Sequence, residues 1–344
     1  MSKVVTFIIP AYNMEMFLER CLNSFICLSV LEQIEVIVVD DGSKDSTGKI
    51  AQRYAREYPQ SFRVIHKENG GHGSAVNTGS QHAQGKYFKV IDADDWVVTR
   101  NLPQFVQFLI LNNADVILTP FRMVDITNGK QIEKNIDIKE EKNSFTLQEV
   151  LENLMDFEPC LVFHGITYRT EFYRKSNYRL SEHIFYEDQE YSTIPLCNAK
   201  SIMICPIYIY QYMVGNAQQS IAYDNQAKRI NHLEEVIRSL MQYYCNTKSE
   251  AISTRKYLLY KIETVVLIYY LTACVYEKNK KNGRRLAKKM KRRLIEFLPD
   301  IQQRTKKKYC VYIIMNWLHV TPGLYQIMLE SPIYSKFKHL YKKR

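Results

Sequence analysis

The chain has 344 residues and a hydrophobic fraction of 46%, enough for one large domain or two ordinary ones with a real core. Its eight cysteines include no Cys-x-x-Cys pair, which excludes zinc-ribbon and thioredoxin patterns and favours core thiols in a reducing compartment. Residues 1–227 hold 21 Lys and Arg against 28 Asp and Glu, whereas residues 228–344 hold 26 against 8. The acidic part is therefore suited to holding a cation, and the basic part to facing an anionic partner.

The first 120 residues alternate between predicted strands and helices. β-Branched and apolar runs predict strands at 4–9, 34–39, 62–66, 87–91 and 115–119. Helical spacing predicts a first helix over 14–25, capped by Asn13, and further helices between the later strands. This alternation predicts an α/β fold with a mostly parallel central sheet and flanking helices. Ligands of such sheets bind beyond the carboxyl ends of the strands.

The rest of the chain is predicted to be less regular at first and then helical. A polar loop or hairpin is expected at 125–145, strands within 201–212, and helices from 226 onward. Lys261 and Glu263 interrupt the most apolar stretch, so we expect a buried or interfacial helix there and not a membrane span. We also expect no secretory signal at the start, because its apolar run is too short.

Three carboxylates follow the fourth predicted strand in the segment KVIDADDW, residues 89–96. Asp92, Asp94 and Asp95 come directly after the apolar run. Two acids at a strand end can supply oxygen ligands to a Mg²⁺ or Mn²⁺ ion that also binds a diphosphate. A solvated acidic turn explains the same residues equally well, so the segment alone leaves both interpretations open.

Two further polar segments follow the second and third predicted strands. In VIVVDDGSKDST, residues 36–47, Asp40 and Asp41 end a strand, where carboxylates can bind ribose hydroxyls or base N–H groups. In ENGGHGSAVNTG, residues 68–79, glycines permit a close approach of the backbone to a ligand. His72 in that segment either contacts a ligand or fills the turn. Neither segment fits a P-loop or a Rossmann dinucleotide motif.

The segments FIIPAYN, VIVVDDGSKDST, ENGGHGSAVNTG and KVIDADDW occur in this order within the first hundred residues. Together they resemble the family 2 glycosyltransferases of the GT-A fold. The resemblance extends more loosely to about residue 220 through HGITYRTEFYR and FYEDQEY. It implies a GT-A domain at 1–225, with a nucleotide-binding half at 1–120 and an acceptor-side half at 121–225. A helical, basic region at 226–344 is predicted to follow.

The resemblance also implies roles for single residues. Asp188 in the Glu187-Asp188 pair would be the catalytic base. Asp94 would be the main metal ligand and Asp92 a second ligand or a ribose contact, with Mn²⁺ or Mg²⁺ as the metal. The residues implied to bind the nucleotide-sugar are Pro10, Ala11, Tyr12, Asn13, Glu15, Asp41, Gly71, His72, Asn77, Asp92 and Ala93.

These roles imply an inverting, metal-dependent transfer of a sugar from a UDP-sugar to a hydroxyl group of a glycan acceptor. A carboxylate would take the hydroxyl proton, and the metal would stabilise the departing diphosphate. A catalytically silent relative acting as a partner protein is one alternative, but the intact Asp41, Asp92, Asp94 and Asp188 argue against it. A sugar-nucleotidyltransferase is another, but no glycine-rich phosphate loop follows the first strand.

Two departures from the family pattern affect these expectations. Some members complete the metal site with a histidine after the base, but none lies between His183 and His232, so a third protein ligand is not identified. His164 precedes the base, and of a site residue and a core histidine we favour the core histidine. The Gln-x-x-Arg-Trp motif of processive members is absent, so we expect one sugar to be added per encounter.

Basic charge is concentrated in KNKKNGRRLAKKMKRR, residues 278–293, which contains ten basic residues and no acid. Leu286, Met290, Leu294 and Phe297 follow at helical spacing, which predicts a basic amphipathic helix. Such a helix suits an anionic membrane surface, with a solvated helix face as the alternative. No nucleic-acid-binding motif is present. We therefore expect a cytoplasmic protein, peripheral on the inner face of the cell membrane, with a lipid-linked glycan as acceptor.

Overall fold

The computed structural model describes residues 2–138, 142–215, 223–247 and 251–330. The described residues within 1–216 and 243–258 form a first compact unit, and those within 217–242 and 259–344 form a second. The predicted domain boundary after residue 225 stays a prediction. The last part of the predicted helical region, residues 331–344, lies outside the described residues.

The strands, numbered along the chain, are β1 Val5–Ala11, β2 Ile34–Asp40, β3 Phe62–His66, β4 Tyr87–Val90, β5 Trp96–Val97, β6 Val116–Leu118, β7 Phe121–Asp125, β8 Gln131–Lys134, β9 Ser144–Phe145, β10 Ile166–Arg169, β11 Ile202–Ile204 and β12 Tyr210–Val214.

The helices are α1 Leu18–Asn23, α2 Thr47–Glu57, α3 His72–His82, α4 Leu102–Leu111, α5 Leu147–Glu152, α6 Leu154–Phe157, α7 Thr170–Lys175, α8 Asp188–Tyr191, α9 Tyr223–Lys228, α10 Ile230–Asn246, α11 Ile252–Leu271, α12 Lys280–Phe297, α13 Pro299–Trp317 and α14 Pro322–Glu330. A π-helical segment, Thr272–Tyr276, continues α11.

Two sheets organise the first unit. The larger has the strand order β3-β2-β1-β4-β10-β6-β11-β9. Its first four strands are parallel, and β10 runs antiparallel between β4 and β6. The predicted mostly parallel sheet is thereby confirmed. The smaller sheet has the order β5-β12-β7-β8, in which β7 and β8 form an antiparallel hairpin.

The core of the first unit lies on both faces of the larger sheet. Every residue of β1 and β2 is buried, which explains why their sequences are almost continuously apolar. Phe7 of β1 packs on Phe25, which follows α1, with 4.8 Å between ring centroids. This packing fixes the carboxyl ends of the strands, where the polar segments begin.

The predicted first helix is wrong at its start, because α1 begins at Leu18 and not at residue 14. Asn13 has the left-handed φ of 54°, and the turn after it, in which the N–H of Leu18 donates to the backbone oxygen of Met14 at 2.9 Å, precedes the regular helix. Its Oδ1 accepts a hydrogen bond from the N–H of Lys44 at 2.9 Å. Asn13 therefore joins two loops instead of capping α1.

The described residues contain one helix, Ile252–Tyr276, that is long and apolar enough to cross a membrane by length and composition. Lys261 and Glu263 lie within this helix. However, 67% of its most apolar window is buried inside the protein, as for the core helix of a soluble protein. The burial agrees with the buried helix expected there, and length alone is weak evidence for a membrane span.

Helix α12 has the predicted amphipathic pattern, but its apolar face is not free. Met290 and Leu294 are buried, as is Ala287, whereas Phe297 is exposed. The apolar face thus belongs mainly to the core, and the exposed face of α12 is basic. Of the basic and apolar residues expected to contact a membrane, α12 therefore exposes mainly the basic ones.

All eight cysteines lie among the described residues and are free thiols. Five of them are buried: Cys21, Cys160, Cys197, Cys205 and Cys274. Cys27 is partly buried, while Cys245 of the first unit and Cys310 of the second are exposed. The expectation of core thiols is therefore right for five cysteines and wrong for Cys245 and Cys310.

Candidate active site

The ends of β1, β2 and β4 bring three of the sequence segments to one edge of the larger sheet. Ala11, the last residue of β1, pairs with Asp40, the last residue of β2. Asp92 follows β4 by two residues. Because these strands are parallel, their carboxyl ends share one edge, as expected for a ligand-binding site.

The loop after β1 is joined to the loop after β2 by reciprocal hydrogen bonds. The N–H of Asn13 donates to Oγ of Ser43 at 3.0 Å, and the N–H of Ser46 donates to Oε2 of Glu15 at 2.9 Å. Pro10 and Ala11 are buried in β1 below these loops, whereas the ring of Tyr12 is 44% exposed. Tyr12 is therefore open to a ligand, while Asn13 and Glu15 hold the loops together.

The carboxylate of Asp41 organises the glycine-rich loop that precedes α3. It accepts hydrogen bonds from Nζ of Lys67 at 2.7 Å, from the N–H of Gly70 at 3.0 Å and from the N–H of Gly71 at 2.7 Å. Gly71 has a φ of 86°, which favours glycine. Asp41 is almost completely buried by these contacts. Its contact with a nucleotide stays a prediction, but its contribution to loop structure is direct.

Asp95 anchors the acidic segment, residues 92–95, to the smaller sheet. Its carboxylate accepts hydrogen bonds from the hydroxyl of Tyr210 at 2.6 Å and from the N–H of Met213 at 2.7 Å. Burial raises the pKa of Asp95 well above its usual range, and the charges of Asp94 and Asp92 raise it further. Asp95 is thus suited to fixing the segment in place.

The other two acids are only partly buried, whereas Ala93 between them is buried. The guanidinium of Arg20 holds the segment by donating to the backbone oxygen of Asp94 at 2.5 Å, and it stacks 4.1 Å from the ring centre of Trp96. The side chains of Asp92 and Asp94 therefore project from a fixed backbone at the sheet edge. Their roles as metal ligands stay predictions.

His72, the first residue of α3, connects two acids that are distant in sequence. Its Nδ1 lies 2.6 Å from Oε1 of Glu187, and its Nε2 lies 3.0 Å from Oδ1 of Asp92. Burial opposes the charged imidazole, but the hydrogen bonds and charges of Asp92 and Glu187 outweigh it and raise the pKa of His72 well above its ordinary value. His72 therefore bridges the acidic segment and the Glu187-Asp188 pair.

Asp188 is the first residue of α8, and the loop before it has an unusual backbone. His183 and Tyr186 have φ values of 58° and 72°, in the left-handed region that few residues other than glycine adopt. Oδ2 of Asp188 accepts a hydrogen bond from the side-chain amide of Gln189 at 3.1 Å. Glu190 closes the loop by accepting from the N–H of Ser181 at 2.8 Å. Such strain, held by several bonds, is frequent at functional sites.

Helix α3 carries this loop. The side chain of Asn77 pairs with the backbone of Leu180 through two hydrogen bonds of 2.9 Å, and it is buried. The N–H of His183 donates to the backbone oxygen of Gly70 at 2.6 Å. The structure thus places Asn77, a predicted nucleotide-sugar contact, where it supports the loop of the predicted base.

One group of side chains in the described residues has the donor atoms of a metal site. Asp92, Asp95 and His164 each offer one ligand atom, all within 4.8 Å of one another. Burial lowers the pKa of His164 to about 4, so its imidazole is neutral and can donate a lone pair. The ring of His164 is stacked on Tyr212, with 4.2 Å between centroids. Carboxylate oxygens and a neutral imidazole fit a divalent metal such as Mn²⁺ or Mg²⁺ that keeps positions for diphosphate oxygens and water.

This group differs from the predicted ligands in one acid and one histidine. Asp94 is not part of it, and Asp95, which takes its place, already accepts two hydrogen bonds. His164 was favoured as a core histidine, yet it lies beside Asp92. The sequence gives no spacing signal for it, because the turn before β10 brings it to the site from about seventy residues away.

The hydroxyl of Tyr212 is influenced by the charges of several of these acids. Burial raises its pKa, and the negative charges of Asp95, Asp92, Asp94 and Asp188 raise it further. The contacts of His72 with Asp92 and Glu187 join the acidic segment to the pair that contains the predicted base. The arrangement brings a group able to hold a cation and a carboxylate able to accept a proton to the same edge of the sheet.

Solved structures with the same architecture define the fold of this protein. S. aureus TarS 1–349 in complex with UDP-GlcNAc matches with a TM-score of 0.53 and 17% identity, over 92% of this chain and 92% of that chain. The mannosyltransferase PcManGT from Pyrobaculum calidifontis, in complex with GDP-Man and Mn²⁺, matches with a TM-score of 0.53 and 16% identity, over 92% and 84%. The fold is therefore the GT-A fold of glycosyltransferases, as expected.

Sequence comparison defines the family. Residues 6–176 match the family described as Glycosyl transferase family 2. EpsJ of Bacillus subtilis (strain 168), described as an uncharacterized glycosyltransferase, is 27% identical over 246 residues, which cover 71% of this chain and 70% of EpsJ. Through residues 6–176 the chain belongs to glycosyl transferase family 2, and it is a glycosyltransferase.

Proposed function

We propose that the chain is an inverting, metal-dependent, non-processive glycosyltransferase that moves a sugar from a UDP-sugar to a hydroxyl group of a glycan acceptor. The observation that carries the proposal is the bridge that His72 makes between Glu187, at 2.6 Å, and Asp92, at 3.0 Å, because it brings the Glu187-Asp188 pair to the acidic residues beside His164. The complexes of TarS with UDP-GlcNAc and of PcManGT with GDP-Man and Mn²⁺ support a nucleotide-sugar donor and a divalent metal.

The proposed reaction needs one proton acceptor and one way to stabilise a departing anion. Asp188 takes the proton of the acceptor hydroxyl while the acceptor oxygen bonds to the anomeric carbon and the bond to the diphosphate oxygen breaks. A bound Mn²⁺ or Mg²⁺ supplies Lewis-acid stabilisation of the diphosphate. Asp92 and His164 would hold that ion, with Asp94 as the further ligand that the resemblance implies. His72 keeps Glu187, and with it the loop of Asp188, in place.

We further propose a lipid-linked acceptor and a cytoplasmic protein that is peripheral on the inner face of the membrane. The exposed basic face of α12 supports contact with an anionic surface. A lipid-linked acceptor would explain why a soluble catalytic fold is joined to a region with a large excess of basic residues.

The experiment that tests the proposal is UDP release from a panel of UDP-sugars with Mn²⁺, with Mg²⁺ and with EDTA, without acceptor. Slow hydrolysis of one donor that EDTA abolishes is expected and would identify the sugar. If no donor is hydrolysed, UDP binding on the same sample separates dependence on an acceptor from a silent relative, which would not bind UDP.

A matched pair of variants assigns the base. Asp188→Asn is expected to lower the rate of transfer by about 10²–10⁴-fold while UDP affinity is kept, because the amide cannot accept the hydroxyl proton. The control is Asp137→Asn, which changes an exposed acid between β8 and β9. Equal activity of the two variants would remove Asp188 from the mechanism.

A further inference from the structure

The end of α13 and the start of α14 expose large apolar side chains. Five such residues flank the connection between the two helices, and each is between 48% and 72% exposed. They are Ile314, Trp317 and Leu318 before the connection and Leu324 and Ile327 after it. We call them the α13–α14 apolar surface. A soluble protein exposes single apolar residues at many places, but a group of this size indicates an interaction site.

Cations surround this surface within the same unit. Lys306, Lys307 and Lys308 are exposed on the first half of α13, and none of the ion pairs among the described residues includes them. The guanidinium of Arg284 lies 3.9 Å from the ring centre of Trp317. The apolar surface therefore begins where a row of unneutralised positive charge ends.

We propose that the α13–α14 apolar surface docks on an anionic lipid bilayer. Ile314, Leu318 and Ile327 enter the boundary between headgroups and acyl chains, and the indole of Trp317 lies at the headgroup level, where tryptophan is favoured. Lys306, Lys307 and Lys308 bind the phosphate groups of the lipids. The inference rests on the proposed function for its purpose, since it would bring the enzyme to a lipid-linked acceptor, but its geometry is independent of the reaction.

A bilayer accounts for both features, whereas other partners account for one. A soluble polyanion would bind the lysines but leave Trp317 and Leu318 in water. A second copy of the chain would cover the apolar residues, but it would bring two regions with 26 basic and 8 acidic residues each against one another. Charge complementarity with an anionic surface therefore favours the lipid.

The docking surface differs from the one expected from the sequence. Met290 and Leu294, expected apolar contacts of α12, are buried, so α12 offers mainly cations, with Ile295 and Phe297 exposed near its end. Exposed Arg285, Lys288 and Arg292 add to the attraction without entering the bilayer. We therefore assign insertion into the bilayer to α13 and α14. Electrostatic attraction to the bilayer is assigned to α12, α13 and α14.

The test is flotation of the full chain with vesicles of phosphatidylglycerol and phosphatidylcholine, and with vesicles of phosphatidylcholine alone. The apolar variant is Trp317→Ser with Leu318→Ser and Ile327→Ser. Its matched control is Leu28→Ser with Leu111→Ser, which removes equally exposed leucines of the first unit, 82% and 73% exposed. The charge variant is Lys306→Ser with Lys307→Ser and Lys308→Ser. UDP affinity and melting temperature are measured for every variant.

The native chain and the control are expected to bind the anionic vesicles and to bind phosphatidylcholine weakly. The apolar and charge variants should each lower the partition coefficient by about tenfold or more, with UDP affinity unchanged. Equal partitioning of the apolar variant and the native chain would assign binding to charge alone and overturn the proposal. Failure of the native chain to bind vesicles, or a dimer that only the apolar variant loses, would also overturn it. Unchanged UDP affinity separates each of these results from a failure of the proposed function.

Discussion

His72 shows how much of this site depends on one side chain. Its two nitrogens contact Asp92 and Glu187, residues that the chain separates by almost a hundred positions. Neither acid belongs to a helix or strand. Asp92 lies in the loop after β4, and Glu187 directly precedes α8. The imidazole therefore sets the distance between the acidic segment and the loop that carries Asp188.

His72→Ala is expected to lower kcat of transfer by about 10–100-fold with a smaller change in the KM for the donor, because the loop of Asp188 loses its anchor. Steady-state kinetics measure both constants. The control is His82→Ala, which changes an exposed histidine at the other end of the same helix. A change in KM alone would make His72 a donor-binding residue only.

Lys89 is buried within β4, where its ammonium donates to the backbone oxygens of His164 at 2.7 Å and Ile166 at 3.1 Å. Burial lowers its pKa to about 7 from the ordinary 10.5. Between these pH values the unfolded chain holds a proton that the folded chain has lost. This group therefore makes the free energy of unfolding rise with pH over that range, by at most about 1.4 kcal/mol per pH unit.

Lys89→Met is expected to flatten that dependence between pH 7 and 10. The difference between the native and variant unfolding curves is the quantity to measure, because buried tyrosines and cysteines titrate in the same range. Lys130→Met removes an exposed lysine and should leave the slope unchanged. Parallel curves for Lys89→Met and the native chain would show that Lys89 stays protonated when folded.

The sequence points to candidate acids for the site, but not to the residues that surround them. Asp92, Asp94 and Asp188 stand in segments with a recognisable order, whereas His164 and Lys89 have no local pattern that distinguishes them from core residues. Their positions depend on β10, a four-residue strand inserted antiparallel between β4 and β6. A pairing of that kind leaves almost no trace in hydrophobic periodicity.

At the level of elements, α3 and the loop before α8 behave as one piece. Gly73, in the first turn of α3, faces this loop so closely that a Cβ atom would collide with the backbone oxygen of Ser181 and lie 2.9 Å from Cγ of Glu187. The loop backbone is itself held by Asn77 and Gly70. Neither partner can move away without breaking these hydrogen bonds.

Gly73→Ala is therefore expected to lower the free energy of unfolding by about 1–3 kcal/mol, despite the higher helix propensity of alanine. It should also reduce transfer more than UDP binding. Gly323→Ala is the control, since a Cβ at this helical glycine meets nothing within 4 Å, and it should be neutral or slightly stabilising. Denaturant unfolding measures the stability of both variants. If Gly73→Ala is as stable as Gly323→Ala, the loop before α8 can shift to make room for the Cβ atom.

Elements with strong periodicity were predictable, and those defined by loop contacts were not. The parallel strands β1, β2 and β4 follow from apolar runs that are buried on both faces, and the edge strand β3 from a shorter run that is only partly buried. The start of α1 does not, because hydrogen bonds to the loop after β2 hold Asn13 in a left-handed conformation and delay the helix to Leu18. The antiparallel strands of the larger sheet are too short to show alternation.

At the level of the whole molecule, the first unit includes chain that follows residue 225. Thr254 donates from Oγ1 to the backbone oxygen of Cys197 at 2.9 Å, and the buried Tyr257 donates to the backbone oxygen of Ser192 at 2.9 Å. Residues 243–258 thus complete the unit that carries the active site. The assignment of residues 243–258 to the first unit could not be predicted from the sequence. A buried helix has the same hydrophobic pattern whichever part of the protein it packs against.

A fragment ending after residue 225 is expected to melt at least about 5 °C below one ending after Leu258, because it lacks these buried hydrogen bonds and the packing of Tyr257. Thermal unfolding followed by circular dichroism measures the difference, and UDP binding reports on the site. Coincident melting curves would show that the domain ends where the sequence suggested.

The two exposed thiols provide the molecule with built-in reporter positions. Cys245 belongs to the first unit and Cys310 to the second, and the other cysteines are buried or, at Cys27, partly buried. After Cys27→Ser, maleimide dyes should react at Cys245 and Cys310, so each unit can be labelled at one known position. A polarity-sensitive dye on Cys310, which stands four residues before Ile314, would brighten on contact with lipid while the same dye on Cys245 stays dim.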